Sequence, residues 1–262
     1  FHLQEQGARG VIVSAVGDDA DGDAIRNQLS VLGLSDLFVA RNSHPTGTVT
    51  AVLDPSGKAT YTIHEDVAWD SIPFSEDLTG LAKEADAVCF GSLAQRSPVS
   101  KQTIQDFLNR TSARCLRVFD INLRQSYFTP ETIQESLTLA DVFKLNDEEL
   151  PVLQNMLGLP VGEEDALSLL RERYDLSLIA LTRGGSGSLL YTKSRTSRHP
   201  GFPLLAGTRP DTIGAGDSFT ATLVRGLLNF EDLDRIHDRA NRVASFVCSQ
   251  PGGTPRVPAY LL

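Results

Sequence analysis

The 262-residue sequence has few cysteines, no long apolar run and no excess of basic residues. Cys89, Cys115 and Cys248 are scattered in apolar settings without a CxxC pair, so we expect buried thiols in a reducing, cytoplasmic environment. No apolar run approaches the ~18 residues that a membrane-spanning helix needs. The net charge of −9 argues against nucleic acid or an anionic membrane surface as a partner.

Several catalytic and nucleotide-binding motifs are also missing. The chain contains no GxxxxGKS/T loop, and no GxGxxG follows its first apolar run, which excludes two major phosphate-binding signatures. It has no GxSxG segment, so an α/β-hydrolase would lack its nucleophile. The histidines are scattered, without the HxxEH or HxH spacing of a zinc site.

Short apolar runs alternate with amphipathic stretches along most of the chain. This alternation is typical of a parallel sheet with helices on both faces, so the predicted fold class is α/β. Residues 49–53 and 60–63 break the rhythm as two strands joined by Asp54-Pro55-Ser56-Gly57, which predicts a hairpin at the sheet edge or in a projecting lid. The other predicted strands are 11–16, 87–90, 116–120, 142–145, 178–181 and 189–191, and the helices are 21–32, 99–108, 130–139, 147–157, 164–174, 217–228 and 233–249.

Polar clusters follow three successive predicted strands. They are DINLR at 120–124, NDEE at 146–149 and TRGGSG at 182–187. Ligands of parallel α/β sheets bind at the carboxyl ends of the strands. The sequence therefore predicts one site built from these three strand ends.

The segment DTIGAGDSF, residues 211–219, carries the strongest chemical signal. Its glycines precede an amphipathic helix, where free backbone N–H groups and the helix dipole form an anion hole. Asp217 lies at the edge of this hole and is placed to take a proton from an attacking hydroxyl. The alternative interpretation is that Asp217 is only the N-cap of the helix.

Two further patterns have both a functional and a structural interpretation. Asn146 and Glu149, three residues apart at a helix start, would hold the water shell of Mg²⁺ or would simply cap the helix. Thr182, Gly184 and Gly187 would present backbone to phosphates or a nucleobase, or would form a glycine hairpin turn.

These residues resemble the motifs of the ribokinase/PfkB carbohydrate kinase family. Residues 211–217 resemble the DTxGAGD signature, residues 146–149 the NxxE segment and residues 182–187 the TxGxxG loop. Residues 16–22 resemble its early VGxDxxG segment and residues 120–124 its DxNxR segment. The resemblance implies a ribokinase-like, Rossmann-like three-layer α/β/α sandwich with a mostly parallel sheet. A small β lid of about residues 37–70 would belong to a single kinase domain over 1–262.

The resemblance also implies roles for individual residues, together with ATP and Mg²⁺ as cofactors and K⁺ as the candidate monovalent cation. Asp217 would be the catalytic base and, with Arg124, would bind the substrate. The remaining implied roles are an anion hole of Gly214, Ala215 and Gly216, water-mediated Mg²⁺ binding by Asn146 and Glu149, an ATP site lined by Thr182, Gly184, Gly187 and Asn241, and a cation site at the backbone of Asp211 and Ile213.

The implied substrate is a small sugar, and residues 45–49 and 67–70 resemble the fructokinase-like branch. Fructose is therefore the first expected acceptor of an ATP-dependent kinase. The alternatives are ribose, 2-keto-3-deoxygluconate or a nucleoside as acceptor, and a non-catalytic binding relative. The family lid also implies a homodimer. Residues 1–3 resemble the helix that follows the family's first strand and sugar-binding segment, so we expect both to be absent from this sequence.

Overall fold

The computed structural model describes residues 1–53, 59–204 and 210–262, so the predicted turn at 54–57 lies outside the described residues. The chain forms two compact units. One comprises Phe1–Arg9, Glu84–Leu93 and Thr111–Leu262, and the other comprises Gly10–Lys83 and Ala94–Arg110. In the described ranges, every helix is too short or too polar to cross a membrane.

The secondary structure alternates along the chain. The strands are β1 (Ser14–Gly17), β2 (Val39–Asn42), β3 (Val49–Leu53), β4 (Ala59–Ile63), β5 (Ala87–Phe90), β6 (Leu116–Asp120), β7 (Val142–Asn146), β8 (Leu178–Thr182), β9 (Ser188–Thr192) and β10 (Thr196–His199). The helices are α1 (His2–Glu5), α2 (Ala20–Val31), α3 (Glu76–Glu84), α4 (Pro98–Arg110), α5 (Pro130–Leu139), α6 (Glu149–Leu157), α7 (Glu163–Arg173), α8 (Ala215–Leu228) and α9 (Leu233–Cys248).

The first unit is built on a six-stranded sheet in the order β10-β9-β8-β7-β6-β5. Strands β5 to β8 run parallel, whereas β9 and β10 pair antiparallel to their neighbours. The parallel arrangement brings the carboxyl ends of β6, β7 and β8 to one edge, as the three polar clusters predict. The predicted α/β class with a mostly parallel sheet is confirmed.

Helices cover both faces of this sheet. Val118, Val142 and Leu178 lie side by side in register on one face, where they pack in a core with α8 and α9. The neighbouring residues Phe119 and Phe143 point to the other face because side chains alternate along a strand, and their rings stack 5.6 Å apart. Helices α5, α6 and α7 contact β6, β7 and β8 on this second face.

The second unit contains two short sheets. Strands β1 and β2 pair in parallel, and β3 and β4 form the predicted antiparallel hairpin, with Val49 opposite Ile63. Asp19 caps α2 by accepting from Gly22 N, and its carboxylate also binds both the backbone N–H and the hydroxyl of Thr46. The VGxDxxG-like segment therefore fixes the turn before β3.

The sequence prediction missed three elements and misplaced one cysteine. Strand β6 and helix α5 have the predicted bounds, but β2, β10 and α3 were not predicted. Cys115 is buried, as expected, whereas Cys248 is only half-buried and Cys89, on the last strand of its sheet, is exposed. The expectation that Cys89 is buried is therefore wrong.

Candidate active site

The first turn of α8 is open. Gly214 is its N-cap, with a left-handed φ of 77°, and as a glycine it has no side chain to cap the helix. The N–H of Ala215 makes a long 3.3 Å bond to Thr212 O, and that of Ser218 bonds Gly214 O at 2.9 Å. The N–H groups of Gly216 and Asp217 lie between them, in the turn that an α-helix leaves without intrahelical partners. This arrangement suits the predicted anion hole.

Asp217 lies two residues inside this helix and is exposed. The N-cap alternative for Asp217 is wrong, because Gly214 occupies that position. Within the described ranges, no hydrogen bond or ion pair engages the Asp217 carboxylate. An unengaged carboxylate beside open N–H groups fits the role of a proton acceptor.

The loop before α8 is tied to the end of α9. Asp211 accepts from Ile213 N at 3.1 Å and from Gly252 N at 2.8 Å, and these bonds hold its pKa below the usual value. Gly214 lies so close to the neighbouring loop that a Cβ there would come within 2.4 Å of Gly253 O. Only glycine fits this position, because both its φ and the close approach exclude a side chain.

A buried ion pair lies beneath the open turn. Lys144 is 7% exposed, and its Nζ contacts Asp120 Oδ1 at 3.0 Å. Thr220 of α8 donates to Asp120 Oδ2 at 3.1 Å, and a Cβ on Gly216 would lie 3.2 Å from Lys144 Nζ. Burial raises the pKa of Asp120 despite the neighbouring ammonium. These contacts join the ends of β6 and β7 to the start of α8.

Asn146 and Glu149 form the reciprocal cap that the sequence left as an alternative. Asn146 Oδ1 accepts from Glu149 N, and Glu149 Oε2 accepts from Asn146 N, both at 2.8 Å. Glu149 Oε1 also accepts from Leu123 N at 2.8 Å, which ties α6 to the loop after β6. Glu149 is 5% exposed, and burial raises its pKa. The DxNxR and NxxE segments therefore meet, as predicted.

The TxGxxG segment is a tight connection between two antiparallel strands, as the hairpin alternative has it. Thr182 ends β8, its hydroxyl donates to Leu145 O, and residues 184–186 form a short 3-10 turn. Position 187 requires a glycine for packing, because a Cβ there would collide with the backbone at His199. Around Gly184 and Gly185 there is open space, which leaves their backbone accessible.

Two further predicted residues lie on other elements. Arg124 is exposed in the loop after β6 and donates to Leu123 O at 2.9 Å. Asn241 is buried in α9, and its side-chain oxygen lies 3.0 Å from the hydroxyl of Ser188, the residue directly after Gly187. Asn241 therefore contacts the strand that leaves the TxGxxG turn.

Sequence reasoning missed Lys144, Ser188 and His237. Lys144 had a readable signal, because it is the one charged residue in the apolar strand VFKLN. Ser188 and His237 had none, since their pairing joins residues far apart in the sequence. In the described part of the chain, no group of three His, Cys, Asp or Glu side chains is arranged to hold a metal ion.

Proteins of known family resemble this chain in sequence. A sugar kinase of Pyrococcus horikoshii is 26% identical over 263 residues, which cover 95% of this chain and 79% of that protein. A fructokinase of Rhizobium leguminosarum bv. trifolii is 26% identical over 82% of this chain and 64% of that protein.

Solved structures give the same result for the fold. The P. horikoshii sugar kinase in complex with ATP superimposes with a TM-score of 0.78 at 26% identity, covering 97% of this chain and 82% of that one. A fructokinase with bound ATP from Xylella fastidiosa has a TM-score of 0.82 at 20% identity, covering 96% and 83%. The model of the pfkB family carbohydrate kinases matches residues 1–259. The chain therefore belongs to the pfkB family of carbohydrate kinases and has its ribokinase-like α/β fold.

Proposed function

We propose that this protein transfers the γ-phosphoryl group of ATP to a primary hydroxyl of a small sugar, with fructose as the first acceptor to test. The observation that carries this proposal is the open first turn of α8, beside the carboxylate of Asp217, which no hydrogen bond or ion pair engages among the residues that the structure describes. Helix α7 also starts at an uncapped glycine with an aspartate three residues later, but the start of α8 differs because it lies over the Lys144–Asp120 pair. Use of ATP is supported by the P. horikoshii relative, whose structure holds ATP.

In the proposed mechanism, Asp217 accepts the proton of the attacking sugar hydroxyl. The N–H groups of Gly216 and Asp217, with the adjoining Gly214 and Ala215, face the phosphoryl oxygens as negative charge develops there. The helix dipole adds partial positive charge at the same place. Lys144 lies beneath Gly216, and the Asp120 carboxylate balances its charge.

The residues at the start of α6 suit a Mg²⁺ ion that keeps its water shell. Glu149 supplies two oxygen atoms, each of which spends one lone pair on a backbone N–H and keeps another. Asn146 Oδ1 already accepts from the N–H groups of Glu148 and Glu149. We propose that Glu149, held in place by Asn146, binds the ion through water. A bound Mg²⁺ supplies charge neutralisation to the phosphates.

The remaining assignments are proposals that follow from the family. We propose that Thr182, Gly184, Gly187 and Asn241 line the nucleotide site, that Arg124 contacts the substrate, and that the backbone at Asp211 and Ile213 binds K⁺. We also propose a single domain whose hairpin β3–β4 is the lid and the contact of a cytoplasmic homodimer. Val49 and Tyr61 on this hairpin are 56% and 57% exposed, which suits such a contact.

Fructose is supported by relatives that carry the name fructokinase. One from Klebsiella pneumoniae is 29% identical over 82% of this chain. The test is ADP release with Mg-ATP against a panel of sugars and nucleosides, with and without K⁺, using the complete natural gene product. Fructose-dependent release supports the proposal. Release with another acceptor keeps the mechanism and removes fructose, whereas ATP binding without release for any acceptor supports a non-catalytic relative.

A further inference from the structure

A buried histidine of α1 contacts the loop that packs against the start of α8. His2 is 5% exposed, and its Nε2 lies 3.0 Å from the backbone oxygen of Gly253. Gly253 in turn lies against Gly214, where a Cβ would come within 2.4 Å of Gly253 O and 2.7 Å of Gly253 Cα. One residue therefore connects His2, which no step of the proposed mechanism uses, to the N-cap of the open turn.

The contact between His2 and Gly253 determines which ring nitrogen carries the proton. A carbonyl oxygen only accepts hydrogen bonds, so Nε2 must be protonated to bind Gly253 O. Burial lowers the pKa of His2 below 6.5, although the bond to Gly253 and the charge of Asp217 oppose this shift, so the neutral ring predominates at physiological pH. Among the described residues, Nδ1 has no hydrogen-bond partner. Moving the proton to Nδ1 would therefore break one hydrogen bond without forming another.

The loop that contains Gly253 is held from two sides. Asp211 accepts from Gly252 N at 2.8 Å, and His2 donates to Gly253 O. Two adjacent glycines resist reorientation very little, because glycine populates more of the backbone conformations than any other residue. We therefore expect this loop to keep its place against Gly214 only while both bonds are present.

A second set of contacts joins the end of α1 to the middle of α8. The Nε2 of Gln6 donates to Thr222 Oγ1 at 3.0 Å, and Gln6 O accepts from Arg225 Nε at 3.0 Å. Thr222 lies about two helical turns beyond Gly214. These contacts stabilise the packing of α1 on α8 at a distance from the open turn, and they provide a control for the contact of His2.

We propose that His2 is a positioning residue, which holds Gly253 against Gly214 and so sets the direction of the open N–H groups of α8. The inference rests on the proposed function of this turn in phosphoryl transfer. Gly214 is the N-cap of α8, and its carbonyl oxygen accepts from Ser218 N at 2.9 Å, so a shift of Gly214 tilts the first helical turn. A misplacement of about 1 Å costs a reaction roughly 10²-fold in rate.

The first test is the protonation of His2 in the wild-type protein, read from its ring nitrogens by long-range ¹⁵N–¹H NMR. We expect a protonated Nε2 and an unprotonated Nδ1. The measurement needs neither nucleotide nor acceptor, and it uses the complete natural gene product, as do all the variants.

The variants His2→Gln and His2→Asn form a matched pair. Glutamine places its side-chain amide nitrogen where the Nε2 of histidine lies, whereas the shorter asparagine places it where Nδ1 lies. In His2→Gln, the amide signals of Gly214 and Gly216 and the value of kcat should stay close to wild type. In His2→Asn, these signals should shift, and kcat should fall roughly 10- to 100-fold with little change in KM for ATP.

The variant Gln6→Leu separates positioning from packing. It removes the side-chain bond from α1 to Thr222 and leaves the bond to Gly253 in place. We expect it to lower the free energy of unfolding, measured by denaturation, while kcat and the amide signals of Gly214 and Gly216 stay close to wild type.

A protonated Nδ1 in wild-type His2, equal effects of His2→Gln and His2→Asn on the two amide signals, or a loss of kcat in Gln6→Leu as large as in His2→Asn would each overturn the proposal. The NMR readouts do not depend on sugar phosphorylation. A protein that shows the expected amide shifts but phosphorylates no acceptor keeps the role of His2 in holding the turn and loses the proposed function.

Discussion

Helices α6 and α8 both begin at the carboxyl edge of the six-stranded sheet, but their first turns are completed differently. At α6, Asn146 and Glu149 cap each other and satisfy the backbone N–H groups of the turn. At α8, the N-cap Gly214 provides no side chain to cap the turn. One helix start is satisfied by its own side chains, and the other keeps its N–H groups for a ligand.

This difference teaches where an anion belongs. Helix dipoles favour negative charge at both N-termini, so the dipole alone does not select the site. At α6 the buried carboxylate of Glu149 already supplies that charge. At α8 a Cβ on Gly216 would lie 3.2 Å from Lys144 Nζ, so the buried group beneath this turn is an ammonium, paired with Asp120.

The largest expected effect is on catalysis at α8. Asp217→Asn removes the base and is expected to lower kcat by roughly 10²- to 10⁴-fold, the usual contribution of a general base, with ATP affinity largely kept. The control is Asp165→Asn, because Asp165 occupies the same position of α7, three residues after a glycine N-cap. A parallel collapse of ATP affinity in Asp217→Asn would remove the base assignment.

The second effect tests why the start of α8 is a glycine. Gly214→Ala places a Cβ 2.4 Å from Gly253 O at a φ of 77°, so it is expected to reduce both turnover and the unfolding free energy. The matched control is Gly158→Ala, where φ is 62° but the Cβ meets open space. Denaturation should show a cost of roughly 1–2 kcal/mol for the control, the left-handed penalty alone, and more for Gly214→Ala. Equal costs would show that the close approach to Gly253 does not matter.

The third expected effect concerns the first turn of α6, which Asn146 caps. Asn146→Ala is expected to cost about 1 kcal/mol of stability, the usual value of a helix cap, and to raise the Mg²⁺ concentration needed for half-maximal activity. Thr129→Ala removes the N-cap of α5 and serves as the control. It should cost a similar stability but leave the Mg²⁺ requirement unchanged. If Asn146→Ala leaves the Mg²⁺ requirement unchanged, Asn146 only caps the helix.

The smallest effect is a pH dependence of stability. Burial raises the pKa of Glu149 above its usual value of 4.5. The contribution of this carboxyl group to the unfolding free energy is therefore fully present below pH 4.5 and is lost as pH rises through the folded-state pKa. The stability of the wild type relative to Glu149→Gln should therefore fall with rising pH above 4.5. The stability of the wild type relative to Asp211→Asn should instead fall as pH falls, because the pKa of the Asp211 carboxyl is lowered below 3.8 in the folded protein. Denaturation series over pH would check both signs.

The sequence predicted the parallel strands and the meeting of their polar ends, because apolar runs and turn residues record those features locally. Strand β10 was missed because its residues Thr196–His199 are polar, and β2 because Arg41 and Asn42 interrupt a very short run. Helix α3 was missed because Gly80 weakens its pattern.

The candidate site was predicted where one segment contains the whole feature, as in residues 211–217. Contacts between distant segments were not predicted, since nothing local in the sequence records them. The Lys144–Asp120 pair and the Ser188–His237 contact are of this kind. The sequence alone could not show whether Asn146 and Glu149 cap α6 or bind a metal ion, because both roles use the same spacing.

The most direct measurement is the backbone amide spectrum of the wild-type protein during titration with Mg²⁺ and a non-hydrolysable ATP analogue. The account predicts large shifts of the Gly216 and Asp217 amides at saturation, with much smaller shifts of the Glu148 and Glu149 amides, which Asn146 already satisfies. Saturable binding that moves the α6 amides and leaves those of Gly216 and Asp217 unchanged would contradict it.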